Sequence, residues 1–142
     1  MRVVLCNGVF DVLHVGHIRH LQQAKTFGDY LVVSVTEDQF VNKKPGMPWN
    51  TLNDRVHVLW SLKCVDRVIA TDHAVSAIRL IKPALFVKGI DYSDGGIWTE
   101  DVEAACKEVG AIIQFTTTPK TSVSDIMRKA NERTQRDCEI CR

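Results

Sequence analysis

The sequence predicts a doubly wound, Rossmann-like α/β fold: one domain built on a parallel sheet of about five strands, with helices on both faces. Three observations predict it. Short β-branched runs alternate along the chain with amphipathic stretches of about eight to fifteen residues. Several of the runs are apolar almost without break, as strands covered on both faces are. No internal repeat or low-complexity tract interrupts the alternation. Strands joined through helices are parallel with right-handed crossovers. Sheets of this kind bind ligands beyond the carboxyl ends of their strands, near the reversal of strand order.

Val3, Val4, Leu5 and Cys6 read as the first strand, broken at Asn7 and Gly8. A helix follows over about residues 16–27, with Ile18, Leu21 and Ala24 on one face and Arg19, Gln22, Gln23 and Lys25 left for solvent. Gly28 stops it. Residues 30–35 form the second strand. The segment carrying Lys43, Lys44, Pro45, Gly46 and Pro48 is too interrupted for regular structure. Thr51 and Asp54 then resemble a capping box, with Asp for the usual Glu, and open a helix bearing Leu52, Val56, Leu59 and Leu62. Residues 65–70, 84–87 and 111–115 are the remaining strands. Helices over residues 74–81 and 100–109 separate them, closed by Pro83 and Gly110. A last helix spans about residues 124–133, so the expected domain is 1–134 with a polar tail at 135–142.

With 142 residues, 45% hydrophobic and 25% charged, the chain has ordinary globular composition. A domain of that size buries roughly two-thirds of its unfolded surface. The net charge is +1 and no run of like charges stands out, which argues against nucleic acid and membrane surfaces as partners. A local cluster holding one polyphosphate remains compatible. The apolar run before Gly8 is too short for a secretory core, and no stretch nears the roughly 20 apolar residues that cross a bilayer. Among five cysteines, Cys6, Cys64 and Cys106 sit among apolar neighbours and read as reduced core residues. Cys138 and Cys141 form a C-x-x-C in the tail, without the second pair a zinc site needs. The expected compartment is the cytoplasm.

The chemistry concentrates after the first strand, in Asn7-Gly8-Val9-Phe10-Asp11-Val12-Leu13-His14-Val15-Gly16-His17. A helix start exposes unpaired N–H groups and about half a positive charge, so anions settle there. Imidazole N–H donors beside it suit a triphosphate, and Gly16 would let a phosphate approach the backbone. Two histidines at this spacing also serve as metal ligands, or simply as polar residues opening a helix; Asp11 reads as a brace for the loop.

The full string resembles the cytidylyltransferase-like nucleotidyltransferase superfamily, whose signature G-x-F-D-x-x-H-x-G-H is matched by Gly8, Phe10, Asp11, His14, Gly16 and His17. The resemblance covers roughly the first 130 residues. It implies transfer of a nucleotide from ATP or CTP to a phosphorylated sugar or polyol, with Mg²⁺ arriving on the nucleotide, and it implies a homodimer. By resemblance, His14 and His17 are catalytic, and Gly8, Val9, Phe10, Asp11 and Gly16 line the nucleotide. Lys43, with Lys44 as the alternative, resembles the family's phosphate-contacting lysine. Arg55 takes the place of an arginine that reaches the phosphates, or else sits on a helix surface. Val87-Lys88-Gly89-Ile90-Asp91-Tyr92 resembles a stretch of the bacterial enzymes that make ADP-heptose from heptose 1-phosphate, so Lys88, Gly89 and Asp91 are candidates for nucleotide or sugar contacts. Thr121, Ser122 and Ser124 match a Ser/Thr segment that caps the last helix and bonds phosphates, another helix start aimed at an anion.

Two departures bear on the base and the acceptor. Residues 115–118 lack the arginine that some CTP-using relatives carry, leaving Lys120 as the available substitute, and Met47 stands where heptose-type relatives often place a basic residue. The rival readings are a glycerol-3-phosphate-type cytidylyltransferase and a non-catalytic nucleotide sensor.

Overall fold

The computed structural model describes residues 1–41, 45–89, 100–119 and 121–140. Five strands, β1 (Val3–Gly8), β2 (Tyr30–Thr36), β3 (Arg67–Thr71), β4 (Leu85–Lys88) and β5 (Ile112–Phe115), form one parallel sheet in the order β3-β2-β1-β4-β5. The helices are α1 (Val15–Thr26), α2 (Leu52–Trp60), α3 (Ala74–Ile81), α4 (Glu100–Val109) and α5 (Val123–Ile140). Strand order reverses between β1 and β4, which puts the switch point directly beyond Gly8 and Lys88.

Strand alternation sends successive side chains to opposite faces. Val4 and Cys6 of β1 and Leu31, Val33 and Val35 of β2 pack with Leu21 and Ala24 of α1 and Leu59 of α2. Leu5, Val32 and Phe86 pack on the other face with Ala77 and Ile78 of α3 and Val102, Ala105 and Cys106 of α4. The doubly wound expectation is met. Cys6 and Cys106 are buried, and burial pushes the Cys6 thiol up to about 12 and raises that of Cys106, as inert core thiols require.

Three boundaries differ from expectation. Val65 and Asp66 belong to a turn rather than to β3, since the Val65 N–H donates to the Leu62 carbonyl and the Asp66 N–H to that of Leu31. A short 3₁₀ turn, Asp38–Phe40, follows β2. Helix α5 continues through Ile140, supported by an Arg128–Glu132 pair at i,i+4 and by the lack of Gly or Pro beyond Pro119, so residues 135–140 extend the helix instead of forming a separate tail. Cys138 is an exposed free thiol on it, and Cys141 lies outside the described residues. Among the described residues no helix is long and apolar enough to cross a membrane.

At the amino edge of the sheet, Asp66 accepts the Leu31 N–H at 2.7 Å and pairs with the Lys25 ammonium, which also donates to the Asp29 carbonyl. Burial alone would raise the Asp66 carboxyl, but the Leu31 N–H and the Lys25 ammonium together hold it below its ordinary value. A carboxylate depressed in the native state stabilises the fold above its unfolded pKa of about 3.9, and that contribution is lost as pH falls through the native value. Asp66→Asn is therefore expected to lower Tm at pH 7. The gap to the parent protein should close in melts run below about pH 4.

Candidate active site

The chain leaves β1 through a reversal that needs both a small residue and an aromatic one. Phe10 adopts a left-handed backbone (φ 51°) and folds its ring back, so that a Cβ on Gly8 would stand 2.9 Å from it. The buried ring plugs the end of the α1 side of the core and meets the His17 ring edge-on, 5.5 Å between centroids. This explains the pairing of Gly8 with Phe10.

His14 is the N-cap of α1. Its Nδ1 accepts the Gly16 N–H at 3.1 Å, and the Nδ1 of His17 accepts the His14 N–H at 3.2 Å. The two imidazoles thus form a reciprocal capping box and stack with centroids 3.8 Å apart. A backbone N–H can only donate, so both Nδ1 atoms are unprotonated and the neutral rings carry their proton on Nε2. Neither ring is buried in the core. Burial lowers the His14 pKa, which favours the neutral ring. Both Nδ1 atoms are thus occupied by backbone N–H groups. The polar-cap alternative is realised: the rings cap the helix and present N–H edges as well.

Gly16 serves a purpose the sequence did not indicate. A Cβ there would lie 2.6 Å from Cγ2 of Thr121 and 2.9 Å from the His14 ring. The glycine lets the segment after β5 close onto the start of α1. Along α1 that segment is fastened at two further points: His20 Nδ1 lies 2.7 Å from Thr116 Oγ1, and the Gln23 amide both donates to Thr117 Oγ1 (3.0 Å) and accepts the Thr117 N–H (2.9 Å). Ser122 caps α5, accepting the Asp125 N–H and donating its hydroxyl proton to the Asp125 carboxylate. Its proton is thus committed within the protein, whereas Ser124 is exposed in the first turn of α5.

The loop entering α2 is tied to the same place. Both carboxylate oxygens of Asp11 accept backbone N–H groups, from Trp49 and Asn50, each at 2.8 Å, and the Asn50 amide donates to the Asp11 carbonyl. Asp11 is the brace it was expected to be. Thr51 caps α2 by accepting the Asp54 N–H. Arg55 departs from both expectations. Only 1% exposed, it donates from Nε to the Asn50 carbonyl, from Nη1 to those of Val9 and Thr36 (2.8 Å each), and from Nη2 to Asp38. Four of its five N–H groups are thereby committed to the protein. It is neither a surface arginine nor a fork offered to phosphate, but a buried bracket joining the ends of β1 and β2 to the loop before α2.

Residues 5–133 match the family model described as Cytidylyltransferase-like. The chain belongs to the cytidylyltransferase-like family. A bifunctional protein HldE from Geobacter sulfurreducens is 41% identical over 108 residues, which cover 72% of this chain and 22% of that protein. The HldE of Nitratiruptor sp. is 37% identical over 131 residues, covering 89% and 28%. The chain therefore spans well under half the length of these curated relatives. Among solved structures, a lipopolysaccharide core biosynthesis protein from Thermoplasma volcanium superposes with a TM-score of 0.72 at 29% identity, over 84% of this chain and 99% of that one. A pantoate-beta-alanine ligase from Francisella tularensis (TM-score 0.59, 16% identity, 84% and 60% covered) shares the fold alone.

Of the remaining residues that the cytidylyltransferase-like pattern singles out, Lys88 is buried at the end of β4, its ammonium 5.1 Å from the Phe86 ring centroid, on the face covered by α3 and α4. Gly89 is half-buried, with nothing within 4 Å of where a Cβ would stand. Lys43, Lys44, Asp91 and Lys120 lie outside the described residues. The structure thus gathers the Gly8–His17 loop, Thr121 and Ser122 at the start of α1, and sets Lys88 across the switch point. Sequence reasoning missed Asp38, Asn50, His20 and Gln23. For the last two a signal existed: His14, His17, His20 and Gln23 recur every third residue, each a neighbour of the next along the start of α1.

Proposed function

We propose that the protein transfers AMP from ATP to the phosphate of a sugar phosphate of the heptose 1-phosphate type, releasing pyrophosphate. The observation that carries this is the pinned histidine pair, whose Nδ1 atoms are held by backbone N–H groups and whose N–H edges are therefore Nε2. Such donors, fixed at a helix N-terminus, follow charge as it moves onto the leaving group. An acceptor phosphate oxygen attacks the α-phosphorus and forms the new P–O bond. The bond from that phosphorus to the bridging oxygen breaks, and pyrophosphate leaves with the electron pair. The acceptor is already ionised, so no general base is needed, and catalysis is positioning plus charge stabilisation. Both Asp11 oxygens are engaged and the histidine Nδ1 atoms face N–H groups, so these residues make no cage for Mg²⁺. The ion is proposed to stay on the phosphates, where it neutralises charge and keeps its waters. Support for a sugar phosphate comes from the Val87–Tyr92 resemblance and from relatives named HldE and lipopolysaccharide core biosynthesis protein.

The test is a pyrophosphate-release screen crossing ATP and CTP with heptose 1-phosphate and glycerol 3-phosphate. Release with ATP and heptose 1-phosphate is expected. Release with CTP and glycerol 3-phosphate alone would move the assignment to a cytidylyltransferase, and nucleotide binding without release from any pair would make the protein a sensor.

A second expectation concerns pH. Burial depresses the His14 pKa, so the unfolded chain takes up its proton first on acidification. The stabilisation is complete above the ordinary histidine value of about 6.5 and is lost as pH falls toward the native one. An NMR titration of the His14 ring should give a midpoint below about 6.5, and a midpoint at or above 7 would contradict the pinned geometry.

A further inference from the structure

On the sheet face opposite α1, the carboxyl ends of the first three strands carry a polar row that neither the histidine pair nor the loop braces use. Asn7, the penultimate residue of β1, sits at the switch point. Its amide Nδ2 donates to Ser34 Oγ at 3.2 Å and lies 3.4 Å from the Ser34 carbonyl. Ser34 Oγ and Thr71 Oγ1 are 2.6 Å apart, and Thr71 Oγ1 lies 3.3 Å from the His73 carbonyl. The proton positions follow from chemistry. A carbonyl only accepts, so the Thr71 hydroxyl proton goes to His73, the Ser34 proton goes to Thr71, and Ser34 Oγ accepts from Asn7. The same logic fixes the carboxamide: with Nδ2 facing the Ser34 carbonyl, Oδ1 is turned away from β2.

Ser34 is fully buried and Thr71 nearly so, which makes this a desolvated relay with one direction. Leu5, Val32 and Phe86 fill the neighbouring positions of this face, so packing alone would favour an apolar residue at position 7. The relay instead orients one acceptor, Asn7 Oδ1, on a half-buried residue at the carboxyl edge, and that oxygen has no partner among the described residues. Continuing the β1–β4 register places it beside Lys88. An oriented oxygen that can only accept selects a donor, and the donor that a nucleotide and a sugar phosphate both offer is a hydroxyl.

We propose that Asn7 reads a substrate hydroxyl, with Ser34 and Thr71 as positioning residues acting through it. This rests on the nucleotidyltransferase reading above, and the hydroxyl could come from the ribose or from the acceptor sugar. The experiment measures steady-state pyrophosphate release from ATP and heptose 1-phosphate by Asn7→Ala, Ser34→Ala and the double variant, with Tm as a control. Asn7→Ala is expected to raise one substrate's KM about three- to tenfold, the effect of one lost neutral hydrogen bond, with kcat nearly unchanged. Ser34→Ala should raise the same KM less, and add nothing in the Asn7→Ala background. A shift in the ATP KM assigns the ribose, and a shift in the acceptor KM assigns the sugar. Unchanged KM values, or a fall in kcat alone, would overturn the proposal. If the parent protein releases no pyrophosphate, the catalytic reading fails separately. The same variants then stand or fall on calorimetric Kd values for ATP and heptose 1-phosphate.

Discussion

Replacing His17 by alanine is expected to lower the rate of pyrophosphate release by at least ~100-fold, the order seen when one transition-state donor is removed. The ring is held on three sides: its Nδ1 by the His14 N–H, one face by the His14 ring, an edge by Phe10. That confinement makes Nε2–H a donor that need not reorganise as charge develops. Alanine also removes half of the capping box, at a cost of about 1 kcal/mol. A loss of that size leaves a domain of ordinary stability folded at 25 °C. A rate measured beside a thermal melt therefore separates the two effects. A near-parental rate in the variant would remove His17 from the mechanism.

The largest stability effect is expected at Arg55. Arg55→Met keeps the buried stem but strips hydrogen bonds from the Val9, Thr36 and Asn50 carbonyls and removes the cationic partner of Asp38. Each carbonyl left buried without its donor costs about 1–3 kcal/mol, and a summed loss of several kcal/mol lowers Tm by roughly 10–20 °C for a chain of this size. Arg55→Lys should recover little of it, because an ammonium cannot reproduce the planar fork. Calorimetric melts of the two variants check this, and a loss of only a few degrees in Arg55→Met would mean the bracket is dispensable. Activity should fall in both, since the bracket holds the Val9 carbonyl and the loop on which Asp11 closes.

Local pattern made most of the fold legible. Nearly continuous apolar runs marked β1, β2 and β4, and helical spacing of Ile18, Leu21 and Ala24 marked α1. Val65 has the apolar character of a strand residue, but β3 begins only at Arg67, because the place of Val65 in a turn depends on Leu62 and on the chain passing Leu31. The signature loop was equally plain, being contiguous. What could not be read was burial earned from a distance. Arg55 looks like any helical arginine, and its partners at Val9 and Thr36 lie 46 and 19 residues away. Gly16 also seats Thr121, a neighbour that only the fold brings to it.

The fastening of the segment after β5 along α1 has a mechanical consequence. Thr116 and Thr117 are hitched to His20 and Gln23, and Thr121 seats against Gly16, so the starts of α1 and α5 are yoked. The two electropositive helix ends cannot drift apart without undoing these contacts. On the proposed reading their convergence is built in as the chain folds, so an anion bound there would meet a finished seat and leave little disorder to quench.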